Sequence, residues 1–585
     1  CDGATSTASD PRHTFADRST RQVTLEVRDS RGNTDSFVAD VPDSIVVNST
    51  GDAALDDDDS TSCTTGGTIG DAPECTLRAA SQAVNNTEGG EISFDIDVVG
   101  EPEIRLDSEL PAIEFSTTVD GTTQSAGSVR ISGRGEPVSL GSGIELSGGT
   151  SVLTGLDLDW FGNAVIVSGG DGHTIKGNTI GGDSSGEVSA VGTAVGMLTG
   201  TGTTIEDNTV RCFDSTCFFI GDVNNSSFSN VTIRNNRINL FADGDEGVFA
   251  KAGIQVSVPS TISGNWVGAV EATGFGIVAL APRAAGTVIT DNRVGVAADG
   301  ATPWGASATG ILVNAASDVT VGSNTVHTSG RASSVSGSEQ RRPGGGATVG
   351  VAPPTAPLPG AVVGGDVTVT GNRVGLLPSG DLAPTIPNTA VTLWGDVPDV
   401  TVSDNDLVAS NVVIDLRSGT EHDVTENRIG TDRDELLPER QVGVGVDVSD
   451  VDDVDVRRNE IAHAITGVSV DQPATSVAID QNVITDSSLG VQLDAEDGEP
   501  LSDVEITANT IEAKNVGVDV GEFVNGTAIA DNDVNAVEGS SPTGIAIDES
   551  ATGSTIERIV VLGADVGIDL KGESTTVDRN RVGVD

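Results

Sequence analysis

The sequence predicts an all-β chain: a right-handed parallel β-helix, a solenoid of short strands wound coil upon coil. Three observations predict it. A phrase, apolar-x-x-Asn-x-apolar, keeps returning, as at Val424, Asn427 and Ile429, at Val456, Asn459 and Ile461, and at Ile479, Asn482 and Ile484. Eight residues after Asn459, Asn482 and Asn509 a glycine opens an alternating strand, Gly467-Val-Ser-Val, Gly490-Val-Gln-Leu and Gly517-Val-Asp-Val. Around each phrase, Val and Ile alternate with Thr, Asp, Ser and Arg, the period of a half-buried strand. No such coil can bury its own inner face, so neighbours must stack.

The asparagine defines the coil. It occurs at Asn178, Asn208, Asn236, Asn265, Asn292, Asn324, Asn372, Asn405, Asn427, Asn459, Asn482, Asn509, Asn532 and Asn580, with Ile559 where another is expected. Asn tolerates a left-handed backbone at a sharp bend, and its amide bonds neighbouring backbone groups. Stacked in register, these side chains are expected to form an internal ladder. The shortest intervals are near 22 residues, so longer ones carry loops; the widest, Asn324 to Asn372, is expected to hold a Gly/Pro loop at about 328–366.

Composition bounds the compartment and the partners. The formal charge is −56, from 87 acidic against 31 basic residues, and the acids are interleaved with Val and Ile rather than gathered in a tail. That pattern predicts a surface adapted to high salt, where the Debye length falls to about 3 Å and self-repulsion is screened. No sustained basic stripe runs along the chain, which disfavours nucleic acid. No run of eighteen apolar residues occurs, so no transmembrane segment is expected in this stretch. Five cysteines divide into Cys63 with Cys75, Cys212 with Cys217, and Cys1. Two close pairs predict disulfides in an oxidising, extracellular or cell-surface setting, and a bridge over the first span is worth about 3 kcal/mol on the chain-entropy view.

Four segments follow in order. Residues 1–42 include Asp2-Gly3, Val23-Thr24-Leu25-Glu26-Val27 and Asp29-Ser30-Arg31-Gly32-Asn33, and resemble the second half of a PKD domain, a small β-sandwich. The resemblance implies a fragment that opens inside a domain, with Cys1 internal and His13 structural. Residues 43–62 read as an acidic linker ending in Asp56-Asp57-Asp58-Asp59. Residues 63–130 contain Cys75-Thr76-Leu77-Arg78-Ala79-Ala80, with Leu77, Ala80 and Val84 on one helical face, and Val119-Asp120-Gly121-Thr122-Thr123-Gln124. A short helix there is expected to cap the first coil. This segment resembles the CSLREA-type module that starts many secreted right-handed β-helix proteins. Residues 131–585 form the β-helix and resemble, through repeats alone, the pectin-lyase-like superfamily.

That superfamily includes enzymes acting on polysaccharides, so catalysis must be weighed. Hydrolysis needs two carboxylates at controlled separation, and Asp157 and Asp159, beside Trp160, are the candidates on one strand face. Trp160, Trp266 and Trp394 are candidate platforms for sugar rings. His173, His327, His422 and His463 lie in different coils without metal-ligand spacing and read as surface residues; no metal site is expected. No cofactor is implied beyond surface-bound cations such as Ca²⁺ or Na⁺/K⁺. The balance leans away from catalysis. The expected function is a secreted or surface-anchored structural and adhesive rod that contacts glycans or envelope components through its loops, with end-to-end stacking open to it. The alternatives are a polysaccharide hydrolase or lyase, and a virus fibre or spike.

Overall fold

The computed structural model describes residues 7, 21–28, 31–41, 44–133, 140–182, 191–221, 229–240, 250–268, 270–280, 283–297, 299, 309–314, 316–327, 347–352, 366–377, 379, 381–383, 386–393, 398–417, 419–430, 442–495, 501–537, 540 and 542–583. Cys1, His13, Trp304, Trp394 and most of the Gly/Pro-rich span lie outside the described residues. The chain divides into two compact units, Cys1–Thr209 and Val210–Asp585.

In the first unit, strands Arg21–Arg28 and Thr34–Val41 pair antiparallel. Everything after them that pairs into the large sheet is parallel. Ser44–Val47, in the segment read as a linker, is already a coil strand: it pairs with Gly90–Phe94, which pairs with Thr117–Asp120. Val152–Thr154, Thr174–Lys176 and Thr204–Glu206 continue that stack. The register superposes Ile45, Ile92, Val119, Leu153, Ile175 and Ile205, all buried, so one apolar residue per coil fills the interior at each level. The helix Leu77–Asn86 starts where Thr76 accepts the Ala79 amide at 3.1 Å. It buries Leu77, Ala80 and Val84 and packs on strands Ser44–Val47 and Gly90–Phe94. Arg78, on the same helix, donates to Asp52 at 2.8 and 3.0 Å and to the carbonyls of Ser108 and Glu109.

The second unit is a longer run of the same coil. Ile233, Ile262, Ile289, Val321, Val369, Val402, Val424, Val456, Ile479, Ile506, Ile529 and Ile556 stand one above another by register and are fully buried. Beside them runs the asparagine ladder. From Asn236 through Asn532, each side-chain amide donates to the next asparagine's Oδ1 at 2.9–3.0 Å. The same Oδ1 accepts the previous asparagine's backbone N–H at 2.8–3.1 Å. Most of these amides also donate to a carbonyl one coil back, as Asn459 does to Val424 at 2.8 Å. A buried carboxamide used this way has its donors and its acceptor filled. Ile559 interrupts the ladder, and only its backbone N–H reaches Asn580, at 3.0 Å.

Two details correct the sequence reading. The left-handed residue is the one before the asparagine, not the asparagine itself: Asp291, Asp404, Glu426, Arg458, Gln481 and Ala508 all have φ between 53° and 58°. The asparagine must aim its amide inward, so the bend falls on a neighbour whose side chain is free to face water. Second, the span expected as one loop contains the strand Ala347–Ala352, registered between Thr309–Asn314 and Thr389–Leu393. The glycines that open strands have a steric cause. At Gly490 a Cβ would lie 2.3 Å from Ile511 Cγ2 and 2.4 Å from the Gly517 carbonyl.

Replacing Asn459 by alanine removes the acceptor of the Asn427 backbone N–H and of one of its two amide bonds, and the amide donor to the Val424 carbonyl, and the expected local cost is about 3 kcal/mol or more. Hydrogen exchange checks it: the Asn427 amide loses protection, while coils several repeats away, coupled only through neighbours, keep theirs.

Candidate functional site

Strand Leu156–Asp159 carries the two carboxylates favoured by sequence. Leu156 and Leu158 point inward, so Asp157 and Asp159 share the outer face, yet they are 1% and 0% exposed. Arg130, registered against Asp157, donates from Nε to Asp159 Oδ2 at 2.6 Å and again from Nη2. The pair is a buried ion-paired cluster rather than two acids facing an open cleft. Trp160 turns the corner after them at φ 60° and is half-buried.

Trp266 is half-buried on the two-residue strand Trp266–Val267 and is clasped by arginines from the coils on either side. The guanidinium carbons of Arg237 and Arg293 stand 4.7 and 5.0 Å from the ring centroid. Of the four histidines read as surface residues, three are not. His173, His327 and His422 are buried, and His173 accepts the Ser151 N–H at 3.0 Å while contacting the Gly169 carbonyl at 2.8 Å. His422 accepts the Val400 N–H at 3.3 Å, so these two rings cap backbone groups that a packed coil leaves bare. Burial holds the His327 ring neutral, its pKa pushed down to about 4. His463 pairs with Asp486 at 2.7 Å. Cys63 is bonded to Cys75 and Cys212 to Cys217, with Cα separations of 5.2 and 5.5 Å. Among the described residues no group of three or more His, Cys, Asp or Glu is placed to hold a metal ion.

A second acidic feature was missed by sequence reasoning. On the strands that follow the glycines, Asp415, Asp447, Ser469, Gln492 and Asp519 superpose on the outer face. Asp471 and Asp494 form a parallel column two residues on. Burial, then the charges of Asp471 and Asp415, push Asp447 up to about 7 against the pull of Arg417. Asp471 is raised by burial and by Asp494, and hydrogen-bonds Asp447. Asp415 is raised by burial despite bonds from Arg417 Nε at 2.8 and 2.7 Å, so desolvation outweighs the ion pair there. Next to this column, Gln492, Asp494, Asp519, Glu522, Asp548 and Lys571 border a depression of about 330 Å³. Reading the second residue after each glycine as a column would have found Asp447 and Asp519; no contiguous motif shows them.

Asp447 gives the chain a pH dependence of definite sign. Its folded pKa, about 7, lies above the unfolded value of about 3.9, so the folded state holds a proton that the unfolded state releases. Its contribution is therefore lost as pH rises from about 4 through about 7. Denaturant titrations at pH 5 and pH 8 check this: Asp447→Asn should flatten the fall shown by the wild type.

Comparison with known proteins follows the same coil. Residues 142–326 match the right-handed beta helix region family, and residues 366–536 and 426–583 match the family of the periplasmic copper-binding protein NosD. A search of the curated proteins finds no match. Among solved structures, DFA-IIIase from Arthrobacter chlorophenolicus A6 is similar at 13% identity, over 64% of this chain and 84% of that one, with a TM-score of 0.31. The A-module of Azotobacter vinelandii mannuronan C-5 epimerase AlgE6 is similar at 12% identity, over 87% and 94%, with a TM-score of 0.23. The periplasmic alginate epimerase AlgG, as its T265N mutant, is similar at 9% identity, over 83% and 79%, with a TM-score of 0.25. Likenesses this remote carry nothing about chemistry. Strand pairing and the family matches together make the chain a right-handed parallel β-helix.

Proposed function

We propose that this chain is an exported, non-enzymatic β-helix, a stiff structural and adhesive element that contacts carbohydrate through the outward columns of its coils. The observation that carries this reading is the unbroken ladder from Asn236 to Asn532, which holds outward side chains in fixed register for coil after coil. A regular column of that kind suits an extended ligand better than a small one. The buried pairing of Arg130 with Asp159 supports the same reading, because it ties up one of the two acids that sequence favoured for hydrolysis. Export is supported by two disulfides and by the periplasmic description of the NosD family. On this reading the start of the chain is a PKD-type spacer followed by a CSLREA-type opening coil. The charge of −56 adapts the surface to high salt.

Copper, which the NosD description names, finds no donor set among the described residues. The four paired cysteines are oxidised, and His173 and His422 use ring nitrogens on backbone groups.

One observation favours a second reading, polysaccharide hydrolysis. Asp447 and Asp471 are hydrogen-bonded carboxyl groups whose surroundings separate them, one protonated near neutrality and the other its acceptor. Incubation with acidic and neutral polysaccharides at molar salt decides between the two. The expected outcome is binding without new reducing ends; depolymerisation that disappears in Asp447→Asn or Asp471→Asn establishes the enzyme instead. Salt adaptation has its own test: circular dichroism should show the coil unfolding on dialysis to dilute buffer, and an unchanged spectrum excludes it.

A further inference from the structure

An exported chain meets enzymes that attach sugar to asparagine in the phrase Asn-x-Ser/Thr, and this sequence carries the phrase at Asn48, Asn85, Asn224, Asn225, Asn230 and Asn525. Asn224 and Asn225 lie outside the described residues. Folding sorts the other four. A transferase must take hold of the carboxamide nitrogen and reach the hydroxyl two residues on, so both groups have to stand clear of the coil.

Three of the four fail that requirement. At Asn48, Nδ2 donates to the Pro73 carbonyl at 3.0 Å and Oδ1 accepts the Cys75 N–H at 2.9 Å. At Asn85, Nδ2 donates to the Ala112 carbonyl at 2.7 Å and Oδ1 accepts the Glu114 N–H at 3.0 Å. The hydroxyl of that phrase, on Thr87, is itself bonded to the Ala83 and Gly89 carbonyls at 3.1 and 2.9 Å. Both amides are pins of the opening coil. Asn525 donates to the Phe523 carbonyl at 3.1 Å and accepts from the Thr552 hydroxyl, and its required hydroxyl, on Thr527, is 0% exposed. Asn230 differs on each count. It is exposed, and its carboxamide has no hydrogen-bond partner among the described residues. Thr232 is half-buried on strand Val231–Arg234, on the outer face between the inward Val231 and Ile233, and its hydroxyl is likewise unbonded among the described residues.

The backbone does not explain the asparagine. Asn230 has φ 56° and stands three residues before the inward Ile233. At the same place before Val321, Val369, Val402, Val424 and Ile506 stand Asp318, Asp366, Asp399, Glu421 and Asp503, with φ between 52° and 60°. Acids carry this left-handed bend in those coils, so it does not call for a carboxamide. The two coils after Asn230 have Pro259 and Gly286 at the corner, and a Cβ on Gly286 would meet nothing within 4 Å. No long side chain fills the edge beside Asn230 in that direction, which leaves room for a branched sugar. We propose that Asn230 is an N-glycan acceptor of this chain, the one among the described phrases that folding leaves open. In the transfer a bond forms between Asn230 Nδ2 and the anomeric carbon of an oligosaccharide as that carbon's bond to the phosphate of a polyprenyl carrier breaks. The displaced amide proton leaves with the carrier phosphate, and nothing is oxidised or reduced.

This assignment rests on the reading of the chain as exported, and the experiment separates the two. The protein is taken from the cells that make it, in cytosolic and extracytoplasmic fractions, and its peptides are mapped by mass spectrometry with fragmentation that places each sugar on its residue. The expected result is a glycan mass on Asn230 in the extracytoplasmic fraction, and none on Asn48, Asn85 or Asn525. Asn230→Asp, which installs the side chain that Asp318 and Asp366 carry at the same bend, should abolish that mass with circular dichroism unchanged. Thr232→Val should abolish it as well, and Thr232→Ser should keep it, because transfer needs the hydroxyl and not the methyl. Should a variant fail to fold, the wild-type map decides by itself. Exported chain with a bare Asn230, or with its sugar on Asn224 or Asn225 instead, overturns the site and leaves export standing. Sugar on Asn48 or Asn85 as readily as on Asn230, or sugar retained in Thr232→Val, overturns the site in the same way. Chain found only in the cytosol, unmodified and with free thiols at Cys63, Cys75, Cys212 and Cys217, overturns both.

Discussion

The structure depends on the carboxamide that repeats by translation. A parallel coil must turn a corner on every storey, and each corner leaves backbone donors and acceptors inside a packed wall. An asparagine amide supplies two donors and an acceptor in a group small enough to stack at strand spacing. From Asn236 to Asn532 every rung repeats the same bonds, the amide contacts being 2.9–3.0 Å throughout. Any other polar side chain at this position leaves part of the set unmade. At Ile559 the fold accepts an apolar residue, and the amide-to-amide contact stops there while the backbone contact to Asn580 continues.

Fixing the corner fixes everything else by register. Side chains three residues before and two residues after the asparagine point inward and form the Val/Ile stack; the residue before it takes the left-handed bend; the residue after it begins an outward column. Glycine opens the next strand because the following coil comes too close for a Cβ, as at Gly490. The roles of positions in the repeat thus follow from one hydrogen-bond constraint and from sterics. What the outward positions contain is left free, and there the chain places its charge.

This division explains how much was legible in the sequence. The inward positions are constrained at every coil, so Ile479, Asn482 and Ile484 announce their roles by recurrence alone. The capping helix was readable for the same reason: Leu77, Ala80 and Val84 must share a face. The left-handed bend was misplaced by one residue because Asn is the residue usually credited with that conformation, whereas here Asp, Glu, Arg, Gln and Ala carry it beside an inward amide. Outward residues are separated by loops of any length, so Asp447 and Asp519, or Arg237 and Arg293, share no local motif. The same blindness made His173 and His422 look solvent-exposed, since their partners Ser151 and Val400 lie a coil away. Asp157 and Asp159 were placed correctly on one strand face, but sequence could not show Arg130 arriving from the coil below.

Column logic also accounts for how so acidic a chain keeps cationic features. With 87 acids to 31 basic residues, an arginine scattered at random on the surface would lie among carboxylates and be neutralised by whichever is nearest. Stacking lets the fold choose that neighbour. Asp415 holds Arg417 on one face, Asp406 sits beneath Arg373 and Arg428 on another, and Trp266 replaces the carboxylate between Arg237 and Arg293. An indole orients a guanidinium without cancelling its charge, whereas a carboxylate both orients and cancels. Substituting one for the other at a single outward position changes the net charge of an outward column while leaving the inward ladder untouched. The separation holds even across the 48 residues from Asn324 to Asn372, whose amide contact is still 3.0 Å. Insertions between coils therefore leave the columns intact, and the surface of such a coil can be rewritten residue by residue without renegotiating the fold.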